Sequence, residues 1–184
     1  MPAATPAIPV ARNLAEYAGI IACWGALLAL WSSGRVSAAT MNVIIIAVCW
    51  CKTGLFGVEN LRQLFAAART NQPHHRFMLL MGVNMSQMIL AYAFDFHLLH
   101  SVNQASFTGI AVDGSQAEVI FDFVYLSTLN FSFFGYSDIL PQTIPAKLVN
   151  LTEIALAFVT VIFMLSDFIS LKESLRGGKH GDQT

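Results

Sequence analysis

The stretch FFGYSDILP, Phe133 to Pro141, sets a glycine, a tyrosine, a serine and an aspartate in one row of a very apolar chain. These are turn formers, yet they stand between a stretch the length of a short helix and one long enough to span a membrane. Asp95 and Glu153 lie within apolar segments, and intramembrane carboxylates are candidates for ion or proton chemistry. His97 and His100 share a helix face at i, i+3. With a third ligand they would hold a metal or a haem iron; without one they read as interfacial polar residues. Cys49 and Cys51 point to different faces of a helix at C-x-C spacing, so with Cys23 they form neither a zinc site nor a disulfide framework. Ser127, Ser132 and Ser137 have no histidine and acid set beside them as a triad, and no glycine-rich phosphate loop occurs. The expectation is a protein that is not an enzyme and carries no cofactor.

The elements that must position these residues follow from composition. Of 184 residues, 55% are hydrophobic and 11% charged, and the mean hydropathy is +0.60, as in a membrane protein. A net charge of -1 and the lack of any basic run interleaved with aromatics exclude nucleic acid as a partner. Four stretches are long enough to cross a hydrocarbon core, which takes about 20 helical residues: Glu16 to Ser33, Ala39 to Val58, Phe77 to Leu99 and Lys147 to Leu171. A signal peptide competes for the first, since Arg12, the run Ala18 to Trp31 and the small residues Ser37 to Ala39 imitate its three regions; a retained helix is the expectation. Between the third and fourth spans, VIFDFVYLSTLNF has the length of a re-entrant helix, and irregular backbone at membrane depth must be buried in protein or line water.

The expected fold is therefore an all-α membrane protein, with four transmembrane helices and one re-entrant pore helix and filter loop between the third and fourth. Residues 1–15 form a mobile lead-in, 16–72 a two-helix hairpin with a cytoplasmic extension, 73–171 a pore module and 172–184 a short tail. Pro73 marks a turn. Arg12, Arg62, Arg69, Arg76, Lys172, Arg176 and Lys179 gather on one side against Arg35 and Lys147 on the other, which places both termini in the cytoplasm. Trp24, Trp31 and Trp50 read as lipid-facing or interfacial anchors. Lys52 reads as snorkelling to the inner face, too far from Asp95 to pair. Phe94, Phe96 and Phe131 to Phe134 read as packing residues.

DFVYLSTLNFSFFGYSDILP, Asp122 to Pro141, resembles the pore region of the tetrameric potassium channel superfamily, whose pattern runs Y-F-S-x-x-T-L-T-T-V-G-Y-G-D-x-x-P. It aligns without a gap. Tyr125 and Ser127 fall on pore-helix positions, and Gly135, Tyr136, Asp138 and Pro141 on the filter and the turn after it. The segment from Pro141 to Phe168 is similar to the pore-lining inner helix, so the resemblance covers a little over half the chain. It implies a homotetramer in a lipid bilayer, by family habit the plasma membrane. Potassium, with sodium as the alternative, would be the permeant ion along Ser132, Phe133, Phe134, Gly135, Tyr136, Ser137 and Asp138. Tyr136 would be braced by Phe121 or Tyr125.

Three departures stand beside the matches. Phe133 replaces a threonine whose hydroxyl helps form the innermost ion site, and four phenyl rings there would make a dewetting constriction unless Ser132 supplies the hydroxyl. Ser137 replaces a glycine and would need a left-handed backbone at a cost of about 1 to 2 kcal/mol. The fourth span has no glycine hinge. Glu153 would brace the filter by sharing a proton or hydrogen bond with Asp138 or Asp95; the competing reading is a carboxylate wetted by an outer vestibule. No span carries the arginine ladder of a voltage sensor. The alternatives are an unselective cation pore, a non-conducting subunit that keeps the fold, and a four-helix membrane protein in which GYSD is only a turn.

Overall fold

The structure, a computed structural model, describes residues 10–70, 74–110, 114–133 and 137–177. Five α-helices carry the fold: α1 Val10–Ser32, α2 Ala38–Thr70, α3 His74–Val102, α4 Gln116–Ser132 and α5 Ile144–Gly177. Two short strands, β1 Phe107–Thr108 and β2 Leu140–Pro141, flank α4. Four of the helices are long and apolar enough to cross a membrane, over Ala11–Ser32, Ala38–Glu59, Met78–Val102 and Ile144–Ile162. α1 already begins at Val10, within the stretch expected to be a lead-in, and α5 continues to Gly177 without a break, past the start of the expected tail. The turn expected at Pro73 lies outside the described residues.

The helix ends are set by local chemistry. α1 stops at Gly34, whose φ of +67° is open to glycine and whose N–H donates to the Trp31 carbonyl at 3.1 Å. Ser37 then caps α2, its hydroxyl oxygen accepting the Thr40 N–H at 3.2 Å. α4 opens on a capping box. The Ser115 side chain accepts the Glu118 N–H, and the Glu118 carboxylate accepts the Ser115 N–H at 2.6 Å. That backbone donor, with the Ser115 side chain behind it, holds the Glu118 carboxyl below its ordinary range. Pro145 sits in the first turn of α5, where a missing N–H leaves no bond unmade.

α3 is the central post. Residues 91 to 99 are buried on every side, as expected of a helix that is apolar all round. Its partners fix the directions of the others. Tyr17 meets Val83 and Ser86, Trp24 meets His97, and Trp31 meets Ser101, so α1 runs parallel to α3. Gln116 meets His97, Phe123 packs on His100 and Phe96, and Ser127 reaches Ile89, so α4 runs antiparallel to α3. Phe96, Phe107 and Phe123 form a ring cluster with centroids 5.0 to 6.2 Å apart, joining α3, β1 and α4.

The β-ribbon closes this end of the bundle. Phe107 pairs with Pro141 and Thr108 with Leu140, antiparallel, and Gln142 N–H donates to the Ser106 carbonyl at 2.8 Å. Gly109, at φ +85°, lets the returning chain pass against it: a Cβ there would stand 2.1 Å from the Asp138 carbonyl oxygen. Gly34 has open space around its own Cβ position. Gly34→Ala should therefore lose only the left-handed strain, about 1 to 2 kcal/mol, whereas Gly109→Ala must also push the ribbon apart. Thermal unfolding in detergent should show the larger fall in midpoint for Gly109→Ala; equal falls would contradict this close approach.

Candidate functional site

Glu153 lies nine residues into α5 and its side chain is wholly buried, at 0% exposure. Ser127 and Asn130, one turn apart on α4, are its partners. Asn130 Nδ2 donates to Glu153 Oε2 at 2.5 Å and to Asn150 Oδ1 at 2.9 Å, and the Ser127 hydroxyl contacts Glu153 Oε1. The same hydroxyl lies 3.0 Å from the Ile89 carbonyl of α3. A serine has one proton to give and here faces two acceptors. A neutral Glu153 resolves the conflict by donating its own proton to Ser127 Oγ, which leaves the serine proton for Ile89. Glu153 is thus neither wetted nor paired with Asp138 or Asp95, the two expectations drawn from sequence. It joins α3, α4 and α5 at one point.

α4 presents Phe123, Leu126, Ser127 and Phe131 to the interior, at the i, i+3, i+4, i+8 spacing of one helical face. Its other face, with Phe121 at 70% exposure and Tyr125 half-exposed, is uncovered. Neither of these two faces the interior, and Tyr136, which they were expected to brace, lies outside the described residues with Phe134 and Gly135. The filter positions that are described arrange as follows. Ser132 is exposed and donates its hydroxyl to the Leu129 carbonyl at 3.0 Å. Phe133 caps α4 at φ 54°, ψ 22°, and its ring meets Phe158 of α5 edge-on at 6.3 Å. Ser137 Oγ accepts the Ile139 N–H at 3.0 Å, and Asp138 is exposed.

The left-handed residue is therefore Phe133 and not Ser137. Among the described residues Phe133 is the one non-glycine with positive φ. A helix C-terminus ordinarily places glycine there. Phenylalanine bears a cost of about 1 to 2 kcal/mol.

A second polar centre lies between α2 and α3. Lys52 Nζ donates to Asp95 Oδ1 at 2.6 Å and approaches the Ala91 carbonyl at 3.4 Å, beside a 2.6 Å bond between the Thr53 and Tyr92 hydroxyls. This overturns the snorkelling expectation, for a geometric reason. Helical side chains tilt toward their own N-terminus. α2 starts at the ribbon end, so Lys52 reaches toward Asp95 rather than toward the far end.

His97, Trp24 and Trp31 also differ from expectation, whereas Trp50 does not. Trp24 stacks on Phe94 at 4.6 Å and donates its indole N–H to His97 Nδ1 at 3.3 Å. With Nδ1 accepting, the His97 proton is on Nε2, which donates to Gln116 Oε1 at 3.0 Å. Trp31 donates to the Ser101 carbonyl at 3.1 Å. These two tryptophans tie α1 to α3 rather than anchoring in lipid. Trp50 is exposed and touches Thr152 of α5 at 3.3 Å. Among the described residues no group of three ligating side chains could hold a metal ion.

No protein-family model, curated protein or solved structure matches this chain. Its features are those of a helical membrane protein with two buried polar centres.

The hydrogen-bond inventory yields a test. Glu153→Gln keeps one donor for Ser127 and one acceptor for Asn130, so its unfolding midpoint should stay near wild type. Glu153→Leu strands Ser127 and Asn130 and should lose about 1 to 3 kcal/mol. Equal destabilisation by both variants, read in detergent melts, would show that the neutral-acid network is wrong.

Proposed function

We propose that the chain is the pore-forming subunit of a homotetrameric channel for monovalent cations, potassium first. In this reading α3, α4 and α5 form the pore module and the FFGYS stretch forms the ion path. It performs no catalytic step. Both termini face the cytoplasm, the ribbon faces outward and the plasma membrane is the host. The observation that carries the reading is the course of α4. It runs parallel to α5, clamped at Glu153, and ends with Phe133 against Phe158. Phe158 lies fourteen residues past Ile144, about 21 Å along the axis at 1.5 Å per residue. Yet Leu140 is back at the ribbon beside Thr108. Seven residues reach at most about 25 Å, enough for that return. A helix that enters from one side and leaves by the same side is a re-entrant loop, tolerated in a membrane only against protein or water.

The uncovered apolar residues of α4 and α5 support the tetramer. Phe121, Tyr125, Phe133, Leu151 and Phe158 are all exposed in the single chain and offer a surface to neighbouring copies. A second reading, in which the path is closed or unselective, is favoured by one observation: the Ser132 hydroxyl is engaged with Leu129 and so does not replace the missing filter hydroxyl.

Ion flux from liposomes separates the readings. Because Phe133 is left-handed, the informative variant is Phe133→Gly, which relieves the backbone and removes the ring; a threonine there would be strained. Wild type should release potassium in preference to sodium, and Phe133→Gly should raise flux several-fold. If wild type and variant are both silent, the channel reading fails. If both pass the two ions equally, potassium selectivity fails.

A further inference from the structure

α1 and α2 flank α3, and between them lies a groove of about 470 Å³ whose lining includes Asn84 and Gln87 of α3. Ile20 and Cys23 of α1 and Leu55 and Phe56 of α2 also line it. Its charged residues form a graded series. Glu16, Glu59 and Arg62 lie toward the Arg12 end, where Arg12 bonds Glu59 at 3.0 Å, and Gln87 donates to Glu16 at 3.0 Å. Lys52 lies deeper, its side chain 19% exposed, with Asp95 behind it at 2%. Asp95 Oδ2 is buried, with the Cys49 thiol as its polar neighbour.

An ion pair inside a membrane is expensive, and such residues mark ion or proton routes. Lys52 has three donors; one goes to Asp95, one toward Ala91, and the third requires an acceptor that lipid tails do not supply. A groove of this size has room for on the order of ten waters, and its polar side chains run from the Arg12 end to Lys52. Asp95 Oδ2 is itself closed to water, so Lys52 is the link between the groove and the carboxyl. We propose that the groove is a hydrated inlet and that the Lys52–Asp95 pair at its head is a proton-binding site, one in every copy of the chain and separate from the loop after α4. Lys52 passes a proton to Asp95 Oδ1 along their 2.6 Å bond and takes one in turn from the inlet water. The carboxyl becomes neutral, Lys52 keeps its charge and turns into the groove, and the link between α2 and α3 is released.

The titratable groups around the site are accounted for. α1 contributes Glu16 and Cys23 to the groove, and α2 contributes Cys49 and Lys52 beside the carboxyl, with Glu59 and Arg62 nearer the mouth. α3 itself contributes Tyr92, and α5 contributes Glu153 beyond it. The titratable residues described on α4, Glu118, Asp122 and Tyr125, are not among the groups acting on Asp95. The site belongs to α1, α2 and α3, so it stands or falls independently of conduction.

Two measurements on the full chain in lipid nanodiscs test it. Cys23 lines the groove, whereas Cys51 sits on the exposed side of α2. With the other two cysteines replaced by serine, each is reacted with a charged methanethiosulfonate. Because the thiolate is the reacting form and needs water, Cys23 should react at least about tenfold faster than Cys51; equal slow rates mean a dry groove and overturn the inlet. Infrared spectra should then be taken across a pH titration in the Glu153→Gln background, which removes the band of the neutral Glu153, and should show a titrating protonated-carboxyl band. That band should vanish in Asp95→Asn and in Lys52→Met, Asp95→Asn, which removes both charges and guards against misfolding of the single variant. A titrating band that survives in the double variant, or the absence of any band, overturns the proton site.

Discussion

A carboxyl group taken wholly out of water must find every hydrogen-bond partner inside the protein, and the position of α4 follows from how Glu153 does so. Ser127 and Asn130 reach it from α4, Asn150 shares Asn130, and Ile89 takes the serine proton. Removing α4 from this place would strand a carboxyl, an amide and a hydroxyl together. A short helix, with too few residues to cross a membrane, is thereby fixed between α3 and α5 by polar bonds as well as by its buried Phe123, Leu126 and Phe131. Its tip at Phe133, in a conformation that phenylalanine disfavours, can be sustained because the helix behind it is fixed.

The same logic recurs around α3. Among lipid tails, apolar contact between helices gives little driving force, so association relies on close packing and interhelical hydrogen bonds. α1 is held by Trp24 to His97 and Trp31 to Ser101, α2 by Lys52 to Asp95 and Thr53 to Tyr92, and α4 by Gln116 to His97. Each of these three helices has at least one directional bond to the central post, which helps set its rotation and register. The two buried carboxyl groups divide the molecule: Asp95 on the side of α1 and α2, Glu153 on the side of α4 and α5, with Tyr92 between them.

What the sequence made legible was governed by length and apolarity. The four spans could be read because each is a long run of lipid-compatible residues, and the short helix between the last two stood out by being too brief to cross. Partners were illegible because they depend on which faces meet. Nothing in the linear order says that Glu153 meets Ser127 and Asn130 rather than Asp138, although the i, i+3 placement of those two on α4 was an available signal. The direction of Lys52 was recoverable from the tilt of helical side chains, given the direction of α2. Trp24 and Trp31 misled because an indole suits an interface as well as it suits a partner on a neighbouring helix. Phe133 took the left-handed position because the helix ends there, a fact about the C-cap that pattern matching assigns to Ser137.

The central claim is that the buried Glu153 binds α4 to α5 inside the bundle, and solid-state NMR of the labelled protein in lipid bilayers tests it most directly. The account predicts a through-space cross-peak between the Glu153 carboxyl carbon and the Asn130 side-chain nitrogen, with a carboxyl shift of the protonated form. An ionised Glu153 with no contact to Asn130 would contradict it, because α4 would then lack the polar anchor that joins it to α5.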